Sequence, residues 1–274
     1  MSSLLKAFEK FYTVLALVFY SGGPITVLVT GGFSQGEAGS AVTENPIMRT
    51  IYLASTVLFT FLLVARWKQT LRIVLRDRFT ILLALFAFAS ILWSSAPEAS
   101  YVRSVGLLGA TIFGIYLVTQ YTLKEQIVVT AWAFGLIIIL SIVYAVFLPQ
   151  YGIMGGVHNG DWRGIYTHKN TLGMRMVLSA ATFLVLLLDS KRPSLFPALG
   201  LMASAALIAL CTSKGAMVTL TVVIGTAMVC QMLRWQFRYL VPLLLGSVTV
   251  ASVSIAWALG NLERSPHSST KTSP

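Results

Sequence analysis

The stretch Pro149–Asn170, reading PQYGIMGGVHNGDWRGIYTHKN, gathers most of the side chains that could do chemistry: His158, Asp161, Arg163, His168 and Lys169 fall within twelve residues. Gly152, Gly155, Gly156 and Gly160 permit tight turns and positive φ among them. Asn170 is expected to cap the helix that follows, whose second turn brings in Arg175. A helix N-terminus presents unpaired N–H groups and a partial positive charge, so it favours anions. Flanked by Arg163, Lys169 and Arg175, such an end makes a phosphate or pyrophosphate pocket. Arginine suits the task because its planar fork grips two oxygens at once.

Plainer readings stand beside this one. Basic side chains near a helix end also snorkel to lipid headgroups. His158 and His168, ten apart with one Asp between them, are a thin basis for a metal site, and none is expected. Asp161 beside Arg163 reads as a local salt bridge, and Trp162 and Tyr166 as interfacial anchors. Two further cations sit elsewhere. Arg103, near the outer end of the fourth expected helix, lines a cleft or snorkels. Lys214 lies in the turn Thr212-Ser213-Lys214-Gly215, where Ser213 could cap the eighth helix. Gly106, Gly109 and Gly114 point to close helix packing.

The elements that must position these groups are membrane helices. Of 274 residues, 56% are apolar and 11% charged, with a mean hydropathy of +0.79. A soluble domain carries roughly 25% charged residues, so this chain cannot dress a water-facing surface. It is an all-α, polytopic integral membrane protein. The net charge of +11 therefore reports topology before it reports nucleic acid, which is not an expected partner. Nine segments fit spans: Phe11–Thr30, Ile47–Ala65, Phe79–Trp93, Ser104–Gln120, Ile127–Leu148, Thr171–Leu188, Leu195–Cys211, Gly215–Leu233 and Tyr239–Leu259. Residues 1–259 form one transmembrane domain, and 260–274 a polar tail. The runs are continuously apolar without dyad alternation, which excludes a barrel. Phe11–Thr30 is too long for a signal peptide's apolar region and lacks an A-x-A site, so it is read as an uncleaved helix.

With the N-terminus inside, twelve of the 20 cations fall on inner segments and eight on outer ones. The inner loop Arg66–Arg78 alone carries five, and short loops weigh most. The N-terminus is placed inside and the C-terminus outside. Five outer cations remain anomalous: Arg103, Arg163, Lys169, Arg175 and Lys214. Cys211 and Cys230, expected at opposite faces about 30 Å apart, cannot bridge.

Trp162-Arg163-Gly164-Ile165-Tyr166-Thr167-His168-Lys169-Asn170 with Leu172-Gly173 resembles a signature of the O-antigen ligase and polymerase superfamily, closest to its exopolysaccharide-production branch. Ser213-Lys214-Gly215-Ala216 is similar to a second, looser family element, S-[RK]-[GT]-A. The resemblance implies a GT-C-like helical bundle and a metal-independent glycosyltransferase of the bacterial inner membrane, without cofactor. Its partners would be membrane lipids, a polyprenyl pyrophosphate-linked glycan and a lipid or glycan acceptor at the periplasmic face. Two cations hold the pyrophosphate in that scheme. Arg163 and Lys214 take those positions, and Lys169, Arg175, His168 and Arg103 join the substrate-binding set. Lys in place of Arg keeps charge but loses the bidentate fork.

The family continues into a large outer loop with a catalytic histidine, the expected general base, and further helices. Here fifteen residues follow the ninth expected span, and His267 in that tail has no family motif around it. A truncated member is expected, keeping donor-binding parts and lacking the group that activates the acceptor hydroxyl. Two other function classes compete. One is a catalytically incomplete remnant or assembly subunit that binds the carrier only. The other is a secondary transporter, disfavoured because ionisable residues lie at expected helix ends rather than midway.

Overall fold

The computed structural model describes residues 3–29, 46–155, 160–189, 194–232 and 246–249. These are almost wholly helical, and among them no strand forms. In order, the helices are α1 (Ser3–Tyr20), α2 (Ile25–Val29), α3 (Pro46–Ala65), α4 (Trp67–Arg76), α5 (Arg78–Ala89), α6 (Pro97–Gln120), α7 (Leu123–Phe147), α8 (Pro149–Gly152), α9 (Lys169–Asp189), α10 (Leu195–Leu210) and α11 (Lys214–Met232). A 3-10 turn, Ser90–Trp93, extends α5. Among the described residues, four helices are long and apolar enough to cross a membrane, or five if the bent pair α3–α4 counts as one span. The protein is thus membrane-embedded and multi-pass. Helices fit that setting because each satisfies its own backbone groups without water.

The chain divides into two compact units, Met1–Thr219 and Leu220–Pro274. In the second, the described residues are the helical 220–232 and 246–249. The ninth expected span, Tyr239–Leu259, the outer loop 31–45 and the polar tail with His267 lie outside the described residues, apart from 246–249.

Within the first unit, α1, α3 and α6 pack through an aromatic core. Phe59 stands 4.8 Å from Phe113 and 4.7 Å from Tyr116, ring centre to ring centre, and Tyr20 stacks on Phe113 at 4.8 Å. The second layer is α7, α9 and α10. Ser179 and Ser204 share a buried 2.8 Å hydrogen bond across α9 and α10, and Trp132 stacks on Phe196 at 4.7 Å. Small polar residues suit such an interface, because lipid tails supply no hydrophobic drive for helix association. Of the three glycines expected to mediate packing, Gly109 does so against Tyr52 and Thr56, whereas Gly106 and Gly114 border open space.

Three expectations change. The first span is broken: α1 stops at Tyr20, Gly22 takes φ +88°, and α2 restarts at Ile25. Arg66–Arg78 is helical rather than a loop, with Arg49–Ala65 and Trp67–Arg76 meeting at 101°. The reason is a buried ion pair: Arg66 donates to both carboxylate oxygens of Glu9 at 2.8 and 3.0 Å, which pins the corner to α1. Phe79–Trp93 becomes a twelve-residue helix plus the 3-10 turn, shorter than a straight span.

Hydrogen bonds define the two ends of this unit. Glu9, Arg66 and Gln120 meet at one, where Gln120 donates to Glu9 at 3.4 Å. At the other, Tyr166 donates to Ser21 at 3.1 Å and Tyr144 to the Pro24 carbonyl at 3.4 Å.

Candidate functional site

The loop between α7 and α9 folds back onto its own start. Ile153 and Trp162 form an isolated antiparallel bridge, and Met154 N–H donates to the Asp161 carbonyl at 2.8 Å. Arg163 and Gly164 both donate backbone N–H to the Gly152 carbonyl at 2.9 Å. Gly164 takes φ +58°, where a Cβ would stand 2.6 Å from Ser141 Cβ, so both its backbone angle and its neighbour require glycine. Ile165 and Tyr166 are buried next, Ile165 against Gly23 in the break between α1 and α2. Tyr166 is therefore a core residue that anchors the loop to α1, not an interfacial anchor; burial pushes its phenol above the ordinary range.

Arg163 is 2% exposed. Its Nε donates to the Tyr151 carbonyl at 2.8 Å and an Nη to the Gln150 carbonyl at 2.9 Å. Burial lowers its pKa, yet the ordinary value is so high that the guanidinium stays charged. The planar fork that would suit a pyrophosphate here grips the two carbonyls at α8. Arg163 thus shapes the loop from inside.

Asp161 forms its ion pair with Lys169, Oδ2 to Nζ at 2.6 Å, both side chains largely buried. Its other oxygen accepts from the Thr212 hydroxyl at 2.6 Å. Trp162 N–H adds a bond to the Leu210 carbonyl at 3.2 Å. The loop is thereby stitched to the α10–α11 turn, where Thr212 takes φ +48°. Gly173 completes the contact from α9. A Cβ there would lie 2.8 Å from Ala216 Cβ and 3.1 Å from Ser213 Cβ, so only glycine lets the two segments approach this closely. The two motifs of the sequence, 162–173 and 213–216, meet in space.

The helix α9 begins at Lys169, one residue before the expected cap Asn170. His168 takes that place: its carbonyl accepts from Thr171 and Leu172, and its Nδ1 accepts from Asn170 N–H at 3.1 Å. Lys214 is exposed at the first residue of α11, directly after the buried Ser213. Arg175 is half-buried one and a half turns into α9 and lines a cavity of about 190 Å³ with Tyr20, Ser21, Thr130, Phe134 and Ile137. An ionisable group thus borders a half-open cavity, which the sequence did not reveal. Arg103 stands apart, exposed on α6, which packs chiefly against α3, α4 and α5.

His158 lies outside the described residues. Among the described residues no group of three His, Cys, Asp or Glu side chains could hold a metal, and Cys211 and Cys230 are both free. The chain was compared with family models, curated proteins and solved structures, and none of the three matches it.

Proposed function

We propose that the protein is a membrane glycosyltransferase of the O-antigen ligase and polysaccharide polymerase type, moving a glycan from a polyprenyl pyrophosphate carrier to a lipid or glycan acceptor. The observation that carries this reading is the meeting of the two motif segments through Asp161, Lys169, Thr212 and Gly173. Random apolar helices have no reason to stitch two cation-bearing helix starts together. In this reading the site end of the bundle faces the periplasm of a bacterial inner membrane.

The reaction needs the acceptor oxygen to attack the anomeric carbon while the bond from that carbon to the pyrophosphate oxygen breaks. Negative charge grows on the departing pyrophosphate, where preorganised cations help most. Exposed Lys214 is the first candidate to meet it, with Lys169 behind it at the start of α9 and Arg175 in the neighbouring cavity. Arg163 holds the loop that presents them. The acceptor proton requires a base.

A second reading, carrier binding without transfer, draws on one observation. Among the described residues the histidine nearest these cations, His168, already serves the start of α9 through Nδ1. Incubating the full chain in proteoliposomes with a polyprenyl pyrophosphate-linked oligosaccharide and an acceptor glycolipid separates the two. Transfer with release of polyprenyl pyrophosphate, reduced about 100-fold or more in Lys214→Ala, supports the enzyme. Retention of the carrier without transfer supports the second reading. Cysteine labelling that maps Trp162–Asn170 to the cytosol overturns both.

A further inference from the structure

The helix α4 leaves the α3 span at 101° and stays there for good physical reasons. Its first turn is locked by four hydrogen bonds at the Arg66 corner. The bidentate pair with Glu9 fixes the side chain, Thr70 N–H donates to the Arg66 carbonyl at 3.2 Å, and the Thr70 hydroxyl donates to the Leu63 carbonyl at 3.0 Å. With α3 along the membrane normal, α4 runs parallel to the surface for about 15 Å. It does so at the end of the unit where Glu9 and Gln120 meet, away from the loop.

Its ten residues divide into three faces. Thr70, Ile73 and Val74 are half-buried, on the side where α4 packs against α6. Trp67, Leu71 and Leu75, spaced four apart, form an exposed apolar stripe at 59, 47 and 63% exposure. Lys68, Arg72 and Arg76, also four apart, form a parallel exposed stripe directly beside it. Arg78 adds a fourth cation at the start of α5. The segment's acidic residue, Asp77, accepts from Thr80 through both carboxylate oxygens and caps α5, and its single negative charge offsets only one of the four positive ones. None of the four cations has an ion-pair partner among the described residues.

We propose that α4 is an in-plane interfacial helix that binds acidic phospholipid headgroups through Lys68, Arg72 and Arg76 while Trp67, Leu71 and Leu75 enter the adjoining acyl layer. A headgroup phosphate beside an acyl chain is the ligand whose charge and apolar parts match two adjacent stripes of this kind. A re-entrant course through hydrocarbon would bury three unpaired cations, a costly arrangement. The proposal rests on the membrane-embedded reading and not on glycan transfer, so a chain inactive in transfer leaves it standing.

The test uses the full chain in mixed micelles, with native mass spectrometry reading the lipids retained. Phosphatidylglycerol should be retained about tenfold or more over phosphatidylcholine. The variant K68Q/R72Q/R76Q should lose that preference, and K68R/R72K/R76K should keep it. Equal preference in the glutamine variant overturns the proposal. So does displacement of phosphatidylglycerol by millimolar inorganic phosphate, which would mark a site for free phosphate. A second readout does not depend on the triple variants. In a Cys230→Ser background, a spin label on Leu71→Cys should collide with oxygen, and one on Arg72→Cys with an aqueous nickel chelate. Nickel access at both positions overturns the in-plane placement.

Discussion

Asp161 and Thr212 are 51 residues apart in sequence, yet their side-chain oxygens stand 2.6 Å apart. The other oxygen of the same carboxylate holds Lys169 at 2.6 Å, so one acidic side chain ties the loop, the start of α9 and the α10–α11 turn together. Asp161→Asn keeps an acceptor for Thr212 and loses the ion pair, whereas Asp161→Ala loses both. Hydrogen bonds to charged groups contribute about 1.5–3 kcal/mol each, so the alanine variant should be destabilised by about 2 kcal/mol or more and the asparagine variant by less. Denaturant titration in detergent reads the difference. A double-mutant cycle of Asp161→Ala with Thr212→Val should show coupling of about 1 kcal/mol. Full additivity would mean that the two motifs do not act as a unit.

Arg163 separates a structural role from a ligand role. Removing its guanidinium in Arg163→Ala takes these donors from the carbonyls of half-buried Tyr151 and exposed Gln150, at about 0.5–1.5 kcal/mol each. Arg163→Lys should recover little, since one ammonium cannot reproduce a fork aimed at two carbonyls. Both variants are expected to lower the thermal midpoint. Lys214→Ala, exposed at a helix start, should leave it unchanged within about 0.5 kcal/mol. An Arg163→Ala protein as stable as the wild type would return Arg163 to direct phosphate contact.

Tyr166 gives the loop a pH signature. Burial holds its phenol above the ordinary value of 10.0, partly offset by the bond to Ser21 and the field of Arg175. The folded state therefore keeps this proton more tightly than the unfolded chain does. Its contribution to stability is complete below about pH 10 and declines as pH rises from there through the folded value. Difference absorbance at 295 nm between the wild type and Tyr166→Phe should show this residue less than half ionised at pH 10. A normal titration there would mean that water reaches the loop's inner face.

How much of this was legible in the sequence depends on how local each cause is. Helices α3, α6, α7, α9, α10 and α11 follow continuous apolar runs; the ends of α3, α9, α10 and α11 fall within two residues of the expected ones, whereas α6 starts seven residues and α7 four residues earlier. The corner at Arg66 was not legible, because its partner Glu9 is 57 residues away and looked like an ordinary polar residue before the first span. The start of α9 slipped for a similar reason. Asn170 has the better cap chemistry, but the pull of Asp161 on Lys169 and the ring of His168 under Asn170 N–H begin the helix two residues early. The cationic loop was found from composition alone. The inward aim of Arg163 was not, since it depends on carbonyls at Gln150 and Tyr151 that any sequence would present.

The Glu9–Arg66 pair carries the last prediction, because it decides whether α4 keeps its course. Glu9 is 7% exposed and accepts from Arg66 twice, from Tyr116 at 3.1 Å and from Gln120 at 3.4 Å. Breaking such a pair from one side strands a buried charge, at about 3–5 kcal/mol, whereas replacing both partners with apolar residues of similar volume is often close to neutral. Arg66→Met should therefore cost more than Glu9→Leu/Arg66→Met, although the double variant removes more polar contacts. The cost of the single variant should also reach α4, whose first turn hangs on the Arg66 carbonyl. Hydrogen exchange over residues 66–76 would rise in Arg66→Met ahead of exchange in α9. If exchange rose equally in both helices, the corner would be coupled to the whole unit, and α4 would not be an element set by Glu9 alone.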